Sequence, residues 1–321
     1  MSAGVQPAPI PFAPTESQLA VAYATCRGIA RGAARNFYYG FLVLPKRKRQ
    51  ALCAVYAFMR RCDDLADDTG MPVRDRRLRL ADWLDAMHRA MEGRPTDDPV
   101  LLALADSQRR FKIPVELLDQ LAYGTAMDLK QEEEQDEPLF ARPEGTGVVE
   151  TAVRYQTIND LYEYCYYVAS VVGLVCIKIF GYRDAGAETL AERCGLAFQL
   201  TNIIRDVKED AAVDRIYLPQ EDLDKFGVTA EEIRRRPDLD RVRPLLAMEA
   251  DRAREFYRSG EELIPLVDED SQPGLWVLVT IYRALLEKIA AKRYDVFSER
   301  VSLTFGEKFK ILVRGFVQRF T

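Results

Sequence analysis

The sequence predicts an all-α fold built as a single helical domain, and three observations carry that expectation. Apolar residues recur at the 3.6-residue helical period through most of the 321 residues, while the two-residue alternation of half-buried strands is nearly absent. No linker is long or polar enough to divide the chain. With 48% hydrophobic and 30% charged residues, the composition is that of a globular protein, and the length allows a sizeable core.

Residues 1–15 (MSAGVQPAPIPFAPT) are Pro- and Ala-rich. They lack the basic start and apolar centre of a signal peptide and read as a flexible leader, ahead of a folded domain spanning 16–321. Apolar periodicity places helices at about 16–33, 45–68, 74–92, 98–111 and 114–130. Pro45 suits a first helical turn, where a missing N–H is tolerated, and Gly70 suits a C-terminal stop. GRPTDD (93–98) breaks the pattern as a loop. Residues 131–147 (QEEEQDEPLFARPEGTG) are acidic and then contain Pro and Gly. They read as a solvated insertion, with a lid over a site as the alternative. Further helices are expected at about 151–180, 184–210, 239–264, 275–296 and 306–318, with PLVDEDSQPG (265–274) a loop.

The formal charge of −5 argues against general nucleic-acid binding, because no basic excess is available to neutralise phosphates. An anionic ligand would have to be held by local arginines and metal ions. The six cysteines (Cys26, Cys53, Cys62, Cys165, Cys176 and Cys194) show no CxxC spacing. Most fall within apolar helical patterns, so they read as buried free thiols in a reducing cytoplasm rather than a zinc site or disulfide framework. The single histidine, His88, has no Cys or Ser within a turn of it, which argues against a histidine-based triad. Tyr164 to Phe180 is the most apolar stretch; it is short for a membrane span, carries Lys178, and reads as a buried core helix.

Two stretches concentrate the chemistry. In YAFMRRCDDLADD (56–68), Tyr56, Arg60, Asp63 and Asp67 are spaced 4, 3 and 4, beside an apolar stripe of Ala51, Val55, Phe58, Met59 and Cys62. In QLTNIIRDVKED (199–210), Gln199, Asn202, Asp206 and Asp210 are spaced 3, 4 and 4, beside Leu196, Leu200, Ile203 and Val207. Carboxylates at i and i+4 repel, and two such rows on otherwise well-patterned helices point to a divalent cation that offsets the repulsion. Mg²⁺, with Mn²⁺ as a substitute, takes hard oxygen ligands and typically binds one or two carboxylates together with substrate phosphates. Opposed rows with nearby arginines would make a diphosphate clamp. A solvated acidic face is the plain alternative for either row alone, but it accounts poorly for both.

The stretch DLYEYCYYVASVVG (160–173) crowds Tyr162, Tyr164, Tyr166 and Tyr167 ahead of Ala169, Ser170 and Gly173. Two readings stand level. The tyrosines are core aromatics with satisfied hydroxyls, or one or two line a pocket whose ring faces stabilise a cation.

These pieces resemble a known family. ARNFYYGFLVLP (34–45), YAFMRRCDDLADD (56–68), YCYYVASVVG (164–173) and QLTNIIRDVKEDAAVDRIYLP (199–219) are similar, in the same order, to motifs of the squalene and phytoene synthases, which join prenyl diphosphates head to head. The last motif is the most specific, and the helical layout extends the resemblance over most of 16–318. The resemblance implies an isoprenoid-synthase fold, with 16–321 as the catalytic domain and a central cavity between two Asp-rich helices. It implies metal ligands at Asp63 and Asp67 on one side and at Asn202, Asp206 and Asp210 on the other. By the same matching, Tyr56, Arg60, Gln199, Arg205, Arg215 and Tyr217 are substrate-contacting positions, and Tyr164 matches a tyrosine proposed to assist the rearrangement. Arg35 matches the basic residue of a Ser-(Arg/Lys)-Ser-Phe pattern whose serines are Ala34 and Asn36 here, so a hydroxyl contact to phosphate is missing at 34. The acidic stretch 131–147 lengthens the usual short join after Met127, Asp128 and Leu129.

The expected reaction is condensation of two farnesyl diphosphates, through a cyclopropylcarbinyl diphosphate, to presqualene diphosphate or squalene. The alternative is phytoene synthesis from two geranylgeranyl diphosphates, or dehydrosqualene synthesis. A terpene cyclase, a chain-elongating enzyme and a non-catalytic helical assembly protein stand further off. NADPH would serve a reductive half-reaction; no GxGxxG-type fingerprint appears, and the family does without one. A long apolar product suggests peripheral contact of a cytoplasmic protein with the inner membrane face. An amphipathic C-terminus bearing Phe309, Leu312, Val313 and Phe316 would serve that contact, with core packing as the commoner fate of such residues.

Overall fold

The computed structural model describes residues 13–68, 70–136, 153–235 and 237–318. Among the described residues the fold is helical, and the β-structure is a single isolated bridge between Tyr182 and Val267. Helix α1 (Glu16–Ala33) opens on a capping box. The Thr15 hydroxyl accepts from the Gln18 N–H, and the Gln18 side chain accepts from the Thr15 N–H. Helix α3 (Lys46–Ala66) begins directly after Pro45 and ends on Asp67 as its C-cap. Helices α4 (Val73–Met91) and α5 (Pro99–Phe111) follow the expected bounds, and the Asp98 carboxylate caps α5 by accepting from the Val100 and Leu101 N–H groups.

Between α1 and α3 lies a helix the periodicity did not announce, α2 (Arg35–Leu42). Its sequence, RNFYYGFL, is weak in helix propensity, so tertiary packing holds it. Phe37 and Phe41, one turn apart, both face a central cavity. Gly40 lets α2 lie close to a later helix, since a Cβ there would come within 2.4 Å of Leu278 Cγ.

Helix α6 (Val115–Asp136) runs past the expected end at 130 into the acidic segment. The rest of that insertion, 137–147, lies outside the described residues, as do positions 1–12 of the expected leader and positions 151 and 152. The single helix expected over 151–180 is replaced by three pieces: α7 (Ile158–Cys165), one π-helical turn (Tyr166–Ser170) and α8 (Val171–Phe180). Helix α7 starts only at 158 because Thr157 and Asp160 form a capping box there. The whole stretch Ile158–Phe180 is long and apolar enough to cross a membrane by composition, with mean hydropathy 1.5, but half of it is buried in the protein. It is a core element.

Helix α9 (Gly186–Ala211) carries the second acidic row and packs along α12 (Leu239–Leu263). The short helices α10 (Gln220–Phe226) and α11 (Ala230–Arg235) were not expected; at seven and six residues they fall below the window in which periodicity is legible. The chain closes with α13 (Gln272–Ala291) and α14 (Phe305–Gln318). On α14 the expected apolar set divides: Leu312 is buried and Phe316 packs against the core, whereas Phe309 and Val313 are exposed. All six cysteines are free, and five of them are buried.

Candidate active site

An apolar cavity of about 220 Å³ lies between α2, α3, the π turn, α8, α9, α12 and α13. Along α9 its wall runs from Ala191 to Asn202, about 16 Å at the helical rise. Small residues let the walls approach. A Cβ on Gly195 would stand 2.6 Å from the Ala169 carbonyl oxygen, and one on Gly173 would stand 2.6 Å from that of Ala191. Phe37, Phe41, Phe180 and Phe198 supply the aromatic lining. Tyr56, Gln199 and Asn202 make one end polar.

Gln199 and Asn202 also line an adjoining pocket of about 230 Å³, together with Arg205, Asp206, Asp210 and Tyr217. The row predicted on α9 is thus gathered in one polar pocket that shares two residues with the apolar cavity. Asp206 is held by two guanidiniums. Arg205 donates through Nε to Oδ1 at 2.7 Å and through Nη2 to Oδ2, and Arg300 donates through Nε to Oδ1 at 2.9 Å, with its Nη2 in an ion pair with the same oxygen at 2.8 Å. Asp210 is pushed up to about 7, by burial first and then by the Asp206 charge, with Arg215 and Arg205 pulling the other way. The Asn202 amide donates to Gln199 Oε1 at 3.4 Å, while its carbonyl oxygen Oδ1 is buried without a hydrogen-bond partner.

The first row is less enclosed. Tyr56 and Met59 line the cavity, and Asp63 follows Met59 by one turn on the same face of α3. Thr125 of α6 donates to Asp63 Oδ1 at 3.3 Å. Burial, then the neighbouring Asp67 charge, pushes the Asp63 carboxyl up to about 6 against the pull of Arg60. Asp67 is exposed at the end of α3. Arg60 is exposed too and pairs with Asp64 at 2.6 Å, off the predicted row. Of Arg35 only the backbone, in the first turn of α2, is described.

The four tyrosines of 162–167 do not line the apolar cavity. Tyr162 packs edge-on against Phe256, and Tyr166 and Tyr167 pack against each other. Tyr164 is buried in a stack with Tyr155 and Tyr217, and its hydroxyl donates to that of Tyr217 at 3.5 Å. Tyr217 lines the polar pocket, so Tyr164 reaches the site through Tyr217. Arg215 and Tyr217 border a small cleft with Asp210, and the Arg215 N–H donates to the Asp210 carbonyl oxygen at 2.9 Å.

These residues fit a divalent cation. Both acidic rows occupy the last two turns of their helices, where the macrodipole is negative and a carboxylate is disfavoured without a positive partner. Asp63 and Asp210 are raised by like charge as well as burial, and the buried Asn202 oxygen lacks a donor. No three acidic, thiol or imidazole groups among the described residues form a ready-made cage. That matches an ion completing its shell with substrate phosphate and water.

Sequence reasoning missed Arg300, which lies in a charged, aperiodic stretch between α13 and α14, and Thr125, which is an ordinary helix residue until α6 meets α3. It also missed Phe37 and Phe41, whose i, i+4 spacing inside the 34–45 motif was a legible signal.

Comparisons with known proteins point to one family. A squalene/phytoene synthase family model matches residues 30–307. The phytoene synthase of Mycobacterium bovis is 36% identical over 299 residues, covering 92% of this chain and 90% of that protein. The 15-cis-phytoene synthase of Synechococcus elongatus is 34% identical over 307 residues, covering 91% and 92% respectively. A crystal structure of a dehydrosqualene synthase in complex with ligand superimposes with a TM-score of 0.78 at 30% identity, covering 93% of this chain and 96% of that one.

Proposed function

Because the chain belongs to the squalene/phytoene synthase family and is a prenyltransferase, we propose that it condenses two geranylgeranyl diphosphates head to head to give phytoene. The expectation of farnesyl diphosphate gives way to this alternative, which the names of the similar curated proteins favour. A C30 product from farnesyl diphosphate stands second, favoured by the likeness to a dehydrosqualene synthase. The observation that carries the condensation reading is the sharing of Gln199 and Asn202 between the long apolar cavity and the carboxylate pocket. A hydrocarbon chain in the one and its diphosphate in the other would then lie end to end.

The family uses a divalent metal to bind diphosphate; here we assign Mg²⁺, held by Asp63 and Asp67 on α3 and by Asn202, Asp206 and Asp210 on α9. A metal ion held by these residues would supply charge neutralisation to the departing diphosphate. Arg205, Arg300 and Arg215 orient the diphosphate oxygens as forked donors. The apolar walls hold the second chain's double bond against the allylic cation and keep water from quenching it. Among the aromatic faces beside that cation, Tyr56, Phe37 and Phe198 line the cavity. The departed diphosphate takes the proton lost on cyclopropane formation, and Tyr217, which lines the polar pocket, would relay it by passing on its own hydroxyl proton as it accepts the new one, with Tyr164 donating to its oxygen.

The test is to incubate the purified protein with geranylgeranyl and, separately, farnesyl diphosphate, with and without Mg²⁺ and NADPH, and to identify products by mass spectrometry. A Mg²⁺-dependent C40 hydrocarbon is expected. A C30 product from farnesyl diphosphate alone moves the assignment to the squalene branch, and its NADPH dependence marks a reductive half-reaction. No turnover of either substrate overturns the proposal.

A further inference from the structure

Half of the exposed large apolar side chains among the described residues lie on α14: Phe305, Phe309, Val313 and Val317, 73%, 50%, 43% and 58% exposed. Spaced by four, they form one stripe along the helix, and the Phe305 and Phe309 rings stack at 6.0 Å. The stripe is not misplaced core, because the opposite face already packs. Leu312 is buried, Phe316 rests on the core, and a Cβ on Gly315 would stand 2.4 Å from Val277 of α13.

Charge decides what covers the stripe. Lys310 and Arg314, each one position beyond a stripe residue, are exposed, and neither pairs with a carboxylate among the described residues. Glu307, the sole acid in the helix, is neutralised by Lys288 at 2.8 and 3.0 Å. A chain of net charge −5 thus presents here an apolar stripe with a cationic edge. We propose that this face of α14 docks on an anionic lipid bilayer, the helix lying in the surface plane with Lys310 and Arg314 at the lipid phosphates. A second copy of the chain fits less well, since a two-fold contact through the stripe would bring like charges together.

Helix α14 packs on α13 and α2, and those helices supply Leu275, Leu278, Phe37 and Phe41 to the cavity wall. Docking would therefore leave only α14 between that wall and the bilayer, where an apolar product dissolves. This consequence rests on the proposed reaction; the docking does not.

The experiment is co-sedimentation of the full chain with phosphatidylcholine vesicles, with and without phosphatidylglycerol. Wild type, the triple variant Phe305→Ser/Phe309→Ser/Val313→Ser and the pair Lys310→Glu/Arg314→Glu are compared after circular dichroism has matched their helicity and melting. Wild type is expected to bind the anionic vesicles preferentially, less so at high salt. The triple variant should lose about tenfold or more in partitioning, and the charge pair should lose the anionic preference alone. Wild type that stays in the supernatant, or a triple variant that sediments with it equally, overturns the proposal. So does a dimer, seen by light scattering, that the triple variant dissociates without any vesicle binding in wild type.

Discussion

The carboxylate rows on α3 and α9 have nearly the same sequence spacing and very different surroundings. On α9, Asp206 sits between Arg205 and Arg300, so part of its charge is already offset inside the protein. On α3, the hydrogen bond found for Asp63 comes from the neutral Thr125 hydroxyl, and burial beside Asp67 raises its pKa to about 6. The difference teaches what each row does before any ligand arrives. The α9 row is preorganised with its guanidiniums at hand for diphosphate, while on α3 burial and the Asp67 charge outweigh the pull of Arg60 on Asp63, so that a cation there would relieve it.

The largest expected effect removes one ligand from either side. Asp206→Ala and Asp63→Ala should each lower kcat by about 10²–10⁴ at saturating Mg²⁺, measured by steady-state diphosphate release. Wild-type turnover in either variant would remove that residue from the metal site. Arg300→Ala should come next, at about 10–100-fold, the scale of lost hydrogen bonds to a charged group. It should act on the diphosphate KM as well as on kcat, and an unchanged KM would mean Arg300 serves only to hold Asp206.

The two rows should also part company in metal-free stability. A carboxyl raised in the folded state keeps its proton there after the unfolded chain has lost it. Its contribution therefore falls as pH rises from the ordinary carboxylate range through about 6 for Asp63, and stays low above that. Asp63→Asn should accordingly stabilise the metal-free protein at neutral pH, by up to about 3 kcal/mol, and far less at pH about 4, where the folded wild type holds its proton and the unfolded chain holds one about half the time. Asp206→Asn should destabilise it by leaving two guanidiniums underused. Urea melts at both pH values would collapse the comparison if the two variants moved together. Metal affinity should weaken as pH falls through about 7 and then about 6, as Asp210 and Asp63 take up protons. The smallest effects belong to Thr125→Val, which removes one donor from Asp63, and to Asp64→Ala, whose partner is the exposed Arg60. Each should change turnover by less than about tenfold.

Much of the fold was legible because helices advertise themselves locally. The bounds of α1 and α5 rest on caps and periodicity that lie within a few residues of each other. Helix α2 was illegible because aromatic and glycine residues are poor helix formers, and only its neighbours make it a helix. The break in the helix expected over 151–180 was illegible for a similar reason: a π turn is a packing solution, made where Ala169 and Gly173 meet Gly195 and Ala191. In the site, the residues of the α9 row lie together around one pocket. Arg60 was read as pointing with its row, yet it turns out to Asp64.

By itself the sequence determined the two carboxylate rows, because i, i+4 geometry follows from the helix alone. It also determined the family, because the long 199–219 motif is contiguous. Only the tertiary structure decided that Arg300 reaches Asp206 from 94 residues away, and that Tyr217 rather than Tyr164 faces the pocket. The same holds for which side of α14 is left bare. These are choices among partners distant in sequence, made by how the helices pack, and no local pattern encodes them.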